Sequence, residues 1–151
     1  MPTVEETRIA DAAELQNVLT RYVDSYDGYT QAAEVVDSPG LKVAFLEIAA
    51  RRKIIVAHVA TLIVKQGEKP EVEGSPEAAV HRWWMRARAN MTSEEFKATL
   101  AECVRGEKEL ARTIESALEH GNLEANHAAI IAEIATELKE ALHTFEAVLD
   151  P

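Results

Sequence analysis

Apolar residues recur along most of this chain at the three- and four-residue spacing of an α-helix. Four long segments carry such a stripe, and each would be roughly 40 Å long at about 1.5 Å per residue. No stretch alternates between apolar and polar residues as a half-buried strand does. The predicted long helices span about 12–36, 39–66, 93–120 and 123–149, with a shorter helix at about 76–90.

Local signals place the predicted helix ends. Asp11 and Glu14 have the spacing of a capping box, which places a helix start at Asp11. Ser38 precedes a proline, the usual start of a helix, and begins the second helix. Gly121 is expected to end the third helix, and Asn122 to cap the fourth.

The connections between the predicted helices indicate the fold class. The first and second helices are joined by a short link, as are the third and fourth, so each pair forms an antiparallel hairpin. The second and third helices are separated by a long connection that contains the short helix. We therefore expect an all-α, single-domain four-helix bundle over residues 1–151, with two hairpins joined by a crossover.

One charged residue interrupts the apolar stripe of the third helix. Glu107 lies among apolar positions, where an isolated carboxylate is strongly disfavoured. Arg52 occupies the middle of the second stripe, and Tyr26 lies near the middle of the first. We expect these three residues to form a buried polar layer, with Glu107 paired to Arg52. Tyr22, Tyr29 and the flanking Glu137 are further candidates for its hydrogen bonds.

Two interpretations of this layer remain open. A buried Arg–Glu pair can fix the register of long helices that would otherwise slide past one another. The same position can also be a variant of a metal or substrate site.

Composition and charge limit the range of functions. Hydrophobic residues make up 47% of the 151 residues and charged residues 28%, which is typical of a packed domain. The net charge of -10 disfavours binding to nucleic acid or to anionic lipid. The single Cys103 excludes an internal disulfide, fits a reducing cytoplasm and is expected to be a small buried hydrophobe. No apolar run is long enough to span a membrane.

The predicted crossover helix carries the best candidate for a partner surface. His81, Arg82 and Arg86 are interleaved with Trp83 and Trp84 in an otherwise acidic protein. Three interpretations stay open. One tryptophan packs on the bundle while the arginines pair with nearby glutamates, or the segment mediates self-association, or it recognises an anionic ligand, a lipid surface or nucleic acid.

Several segments together resemble a known superfamily. They are residues 28–34, the pair Arg51 and Arg52, residues 81–85, residues 103–107, and His143. In these segments and in its predicted topology, the chain resembles the ferritin-like superfamily. More narrowly, it is similar to small stand-alone bacterial four-helix proteins of unknown function.

The resemblance implies a possible di-iron site, from which this sequence departs. Ferritin-like di-iron proteins use a carboxylate from each of two helices and a Glu-x-x-His from each of the other two. Here Tyr26 takes one carboxylate position, and Glu47 is followed three residues later by alanine. We find the motif only at Glu140 and His143, which point away from the apolar face. The fixed charge of Arg52 also opposes a bound cation.

The sequence therefore favours a cytoplasmic, non-catalytic bundle with no metal or cofactor. We expect a binding or structural protein that self-associates, most simply as a dimer, and whose protein or small-molecule partner is unknown. A stress-related accessory role is what the resemblance suggests. The alternative is a di-metal oxidase or storage protein that uses iron or manganese. His127 is expected to be a buried, hydrogen-bonded histidine rather than a metal ligand.

Overall fold

The computed structural model describes residues 1–74 and 93–149, and all regular structure within these ranges is helical. The predicted helix at 76–90 and the partner surface it carries lie outside the described residues. The long helices form a four-helix bundle, in which the fourth rod consists of two consecutive segments. The helices are α1 Val4–Val35, α2 Pro39–Lys65, α3 Ser93–His120, α4 Ala125–Ile134 and α5 Thr136–Leu149.

The first helix begins about two turns before the predicted start. Thr3 is its N-cap: the Thr3 hydroxyl accepts from the Glu6 amide at 3.0 Å, and the Glu6 carboxylate accepts from the Thr3 amide at 3.2 Å. The prediction that Asp11 caps this helix is therefore wrong. Asp11 lies inside α1 and is fully buried, so its carboxylate serves a different contact.

The second helix has the start that its sequence predicts. The Ser38 hydroxyl accepts from the Leu41 amide at 3.4 Å, and α2 ends in a turn at Gly67, whose φ of 85° suits glycine. The Arg8 guanidinium donates to the backbone carbonyl of Gln66. The start of α1 is thus tied to the end of α2, as an antiparallel hairpin requires.

The fourth rod differs from the continuous, Asn122-capped helix that was predicted. Its N-cap is Glu124, whose side chain makes no capping bond. The rod is also interrupted at Ala135, between α4 and α5. The Thr136 hydroxyl donates to the Glu133 carbonyl at 2.8 Å, a local side-chain bond that competes with regular helix hydrogen bonding.

The core consists of two apolar clusters at different heights of the bundle. On α2, the first cluster uses Val59 and Ile63, whereas the second uses Phe45 and Ile48. The other rods also contribute residues to both clusters. Burial of each large apolar side chain stabilises the fold by about 1.5–3 kcal/mol. In the second cluster, the rings of Tyr29, Phe45 and Phe145 lie 5.8 to 6.0 Å apart. Within the described residues, no helix combines the length and apolar character needed to cross a membrane.

Candidate functional site

A buried arginine lies between the two apolar clusters. Arg52 has zero exposure, and each of its five N–H donors has an acceptor. Nη1 donates to Ser25 Oγ at 2.7 Å and to Glu107 Oε1 at 2.8 Å. Nη2 donates to Glu107 Oε2 at 2.9 Å and Glu137 Oε2 at 3.1 Å, and Nε donates to Glu137 Oε1 at 2.9 Å. We call these four residues the arginine layer.

The arginine layer draws one residue from each rod of the bundle. Ser25 comes from α1, Arg52 from α2, Glu107 from α3 and Glu137 from α5. Glu137 is in the first turn of α5, where the helix dipole favours a carboxylate. The interruption at Ala135 creates this helix start beside the arginine.

The two carboxylates differ in their access to solvent. The side chain of Glu107 is 1% exposed, whereas that of Glu137 is 22% exposed and lies 3.8 Å from the Arg51 guanidinium. Burial disfavours a charged guanidinium, but the hydrogen bonds and charges of Glu107 and Glu137 outweigh it and raise the pKa of Arg52. Arg52 is therefore permanently charged, and its charge is shared between two acids.

Two tyrosines lie beside the arginine layer. Burial raises the pKa of Tyr22 above its usual range, and burial together with the charge of Glu107 does the same for Tyr29. Neither buried hydroxyl has a hydrogen-bond partner among the described residues. The Arg52 guanidinium lies 5.6 Å from the centre of the Tyr29 ring, within the range of a cation–π contact.

The structure brings together only part of the expected polar layer. Arg52 and Glu107 are paired, and Glu137 completes the network as a flanking acid. Tyr26 is not a member: it packs, partly buried, against the second apolar cluster. The oxygen from α1 comes instead from Ser25, which sequence reasoning missed. One feature of the sequence points to Ser25: it lies three residues after Tyr22, so the two residues share a face of the helix.

A second polar cluster lies at the end of the bundle. The Asp11 carboxylate accepts from the Glu124 amide at 2.7 Å and from the Gln66 side chain at 2.5 Å, and it lies 2.8 Å from His127 Nδ1. His127 is buried and hydrogen-bonded, as expected. Asp11 thus caps the start of α4 from a different helix.

This cluster contains a second Glu-x-x-His motif. Glu124 and His127 also have the Glu-x-x-His spacing, so the statement that only Glu140 and His143 have it is wrong. Glu140 and His143 are both exposed, whereas His127 is buried.

Cys103 has the surroundings of an unreactive thiol. It is partly buried against the second apolar cluster, and burial, with a smaller effect of Glu107, raises its pKa to about 12.

The fold and site define an all-helical bundle with a buried arginine–carboxylate network. A family model described as a domain of unknown function, DUF2383, matches residues 11–120, and the chain belongs to this family. The matched range includes Ser25, Arg52 and Glu107, whereas Glu137 lies beyond it. No curated protein sequence matches the chain at a significant level.

Proposed function

We propose that this protein is a cytoplasmic, non-catalytic bundle of ferritin-like type that acts by binding other protein chains, a second copy of itself included. In this proposal Arg52 stands at the interior position that metal ions occupy in di-iron members of that superfamily. The observation that carries the proposal is the closed hydrogen bonding of the Arg52 guanidinium.

The positions of the helix ends support a ferritin-like topology. Gln66, just after α2, contacts Asp11 near the start of α1. Leu100, near the start of α3, belongs to the same cluster as Phe45, near the start of α2. The end of α2 and the start of α3 are therefore at opposite ends of the bundle. This arrangement is what a long crossover between two hairpins requires.

The chemistry of the arginine layer supports a metal-free centre. Both oxygens of Glu107 already accept from Arg52, and so do both oxygens of Glu137. A cation at this height would have to displace a guanidinium or lie beside its fixed positive charge. The arginine thus supplies the neutralising charge that a metal ion would otherwise supply.

The neighbouring ionisable groups support a non-catalytic role. Tyr22, Tyr29 and Cys103 all have raised pKa values, so they are neutral at physiological pH. A neutral, buried thiol is a poor nucleophile, and a phenol of raised pKa is a poor general acid.

A surface stripe on α2 supports binding to another helix. Ile54 is 70% exposed, Val64 59% and Val43 55%, although all three are large apolar side chains. They belong to an exposed set whose members are three or four residues apart, as in a coiled-coil seam. This α2 stripe consists of Val43, Leu46, Ala50, Ile54, Ala57, Thr61 and Val64.

The α2 stripe fits a second copy of α2 running in the opposite direction. A two-fold axis near Ile54 would set Val43 against Val64, and Ala50 against Ala57. Such an isologous contact closes on itself and yields a dimer. The alanines would let the two helix backbones approach closely.

Metal analysis on protein purified without added chelator tests the metal-free centre. We expect the iron and manganese content to be the same in the wild type and in Glu107→Gln, because both carboxylate oxygens of Glu107 accept from Arg52. Near-stoichiometric iron or manganese that is lost in Glu107→Gln but retained in His127→Gln would overturn the proposal. That result would favour the alternative, a di-metal oxidase or storage protein.

A further inference from the structure

The polar cluster at the end of the bundle has the composition of a metal site. Asp11 comes from α1, whereas Glu124 and His127 come from the start of α4. One carboxylate or imidazole atom from each of the three side chains lies within 4.8 Å of the other two. The site is separate from the arginine layer, because Arg52 contacts none of these residues in the described structure.

The spacing of the donor atoms suits a shared ion. Nitrogen and oxygen ligands lie about 2.0–2.2 Å from Zn²⁺, so two neighbouring ligands on one ion are roughly 3.0–3.5 Å apart. Asp11 Oδ2 and His127 Nδ1 are already 2.8 Å apart. A small opening of this pair, with rotation of the Glu124 side chain, would bring three donors around one cation.

The charge of the cluster favours a cation. Asp11 has zero exposure and His127 is 7% exposed, so neither is well solvated. In the part of the chain that the structure describes, no lysine or arginine forms an ion pair with Asp11 or Glu124. Within the described residues, Asp11 pairs with His127, which is cationic only when it is protonated. With a neutral imidazole, the cluster carries two negative charges that a divalent ion would neutralise.

The surrounding hydrogen bonds hold the carboxylate of Asp11 in place. The Gln66 side chain donates to Oδ2 and the Glu124 amide donates to Oδ1. A carboxylate oxygen can accept such a bond and still bind a metal, because it has two lone pairs. Outer donors of this kind orient metal ligands in proteins.

We propose that Asp11, Glu124 and His127 bind one divalent transition-metal ion of the Zn²⁺, Mn²⁺ or Fe²⁺ class. One imidazole and two carboxylates suit these ions better than Mg²⁺ or Ca²⁺, which prefer oxygen ligands alone. The ion joins the first helix to the start of the fourth rod, next to the end of α2. The role of this ion is structural. The proposal holds whether or not the arginine layer binds a metal.

Zinc titration of protein freed of any affinity tag and stripped with EDTA tests this proposal. We expect one Zn²⁺ per chain by calorimetry, and d–d absorption when Co²⁺ is added instead. His127→Gln should weaken binding by about tenfold or more, because it removes the nitrogen ligand. The matched control is His143→Gln, which alters the exposed Glu-x-x-His and should leave the affinity unchanged.

A second variant separates the metal site from a simple hydrogen-bonded pair. Glu124→Gln keeps the Asp11–His127 contact and the backbone amide that Asp11 caps, so the metal-free protein should melt as the wild type does. It should also weaken Zn²⁺ binding by about tenfold. The proposal is overturned if the wild type takes up no Zn²⁺, or if Glu124→Gln and His127→Gln bind it as tightly as the wild type.

Discussion

Arg52 carries a full charge at zero exposure, so its partners decide whether that burial is tolerable. Desolvation of an ion costs several kcal/mol, and a buried pair is stable only when its remaining hydrogen bonds are made. Glu107 and Glu137 together make four of the five, and Ser25 makes the fifth. Loss of any one member of the layer should therefore lower the stability of the protein, by an amount that differs between members.

The two acids of the arginine layer should differ in their effect on stability. Glu107→Ala leaves part of the guanidinium without a partner at a site closed to water, and should lower the free energy of unfolding by about 3–5 kcal/mol. Glu137→Ala should cost less, about 1–3 kcal/mol, because Glu137 is 22% exposed and water can replace it. Urea unfolding monitored by circular dichroism measures both. Equal losses, or a negligible loss for Glu107→Ala, would contradict this account.

A double variant shows whether the Glu107 effect comes from the unpaired charge. Arg52→Met combined with Glu107→Leu removes both ions, and Glu137 remains able to reach water. The double variant should be more stable than Glu107→Leu alone, because no buried guanidinium is left without its partner. If the two losses simply add, the pair is not energetically coupled.

The sequence indicated the central pair of the arginine layer but not its full membership. Arg52 and Glu107 were detectable because each breaks an apolar stripe. Tyr26 is predicted because it lies near the middle of the first helix, whereas the α1 oxygen that accepts from Arg52 belongs to its neighbour Ser25. Neighbouring positions on a helix differ by about 100° in direction, and only the packing of α1 decides which one faces inward. Periodicity alone does not supply that rotation.

At the scale of helices, the sequence offers two possible starts for α1, and tertiary contacts decide between them. Thr3 with Glu6 and Asp11 with Glu14 both have capping-box spacing. The helix starts at the first, because Asp11 is buried against the start of α4 and cannot serve as an end. The break at Ala135 was also beyond local prediction, since nothing in that stretch is a strong helix breaker.

One glycine inside α3 and one just after its end should respond oppositely to alanine. A Cβ at Gly121 would overlap the Ala117 backbone and the Glu14 carboxylate, so Gly121→Ala should destabilise the protein by about 1–3 kcal/mol. Gly106 is exposed within α3 and has no neighbouring atom within 4 Å of an added Cβ. Gly106→Ala should therefore stabilise the protein by about 0.5–1 kcal/mol. Thermal melting of the two variants gives the sign directly, and a shared sign would contradict the contacts at Gly121.

Across the whole molecule, the arginine layer divides an otherwise apolar interior into two clusters. Long apolar helices can slide by one turn, about 5.4 Å, and still bury similar surfaces. Such a slide would separate Arg52 from Glu107 and Glu137 and leave buried charges without partners. We therefore propose that the layer specifies the register of all four rods, which is the role that a polar residue has in the seam of a coiled coil.

The α2 stripe makes a prediction for the assembled protein. We expect the wild type to dimerise reversibly in sedimentation equilibrium, and Ile54→Glu to weaken the dimer by about tenfold or more, because it places charges at the centre of an apolar contact. The fold should be retained, since Ile54 is 70% exposed. Ile9→Glu is the matched control: Ile9 is 47% exposed on α1, away from the stripe, and its change should leave the dimer intact. A wild type that stays monomeric at about 100 μM, or equal effects of both variants, would contradict the α2 stripe as a dimer contact.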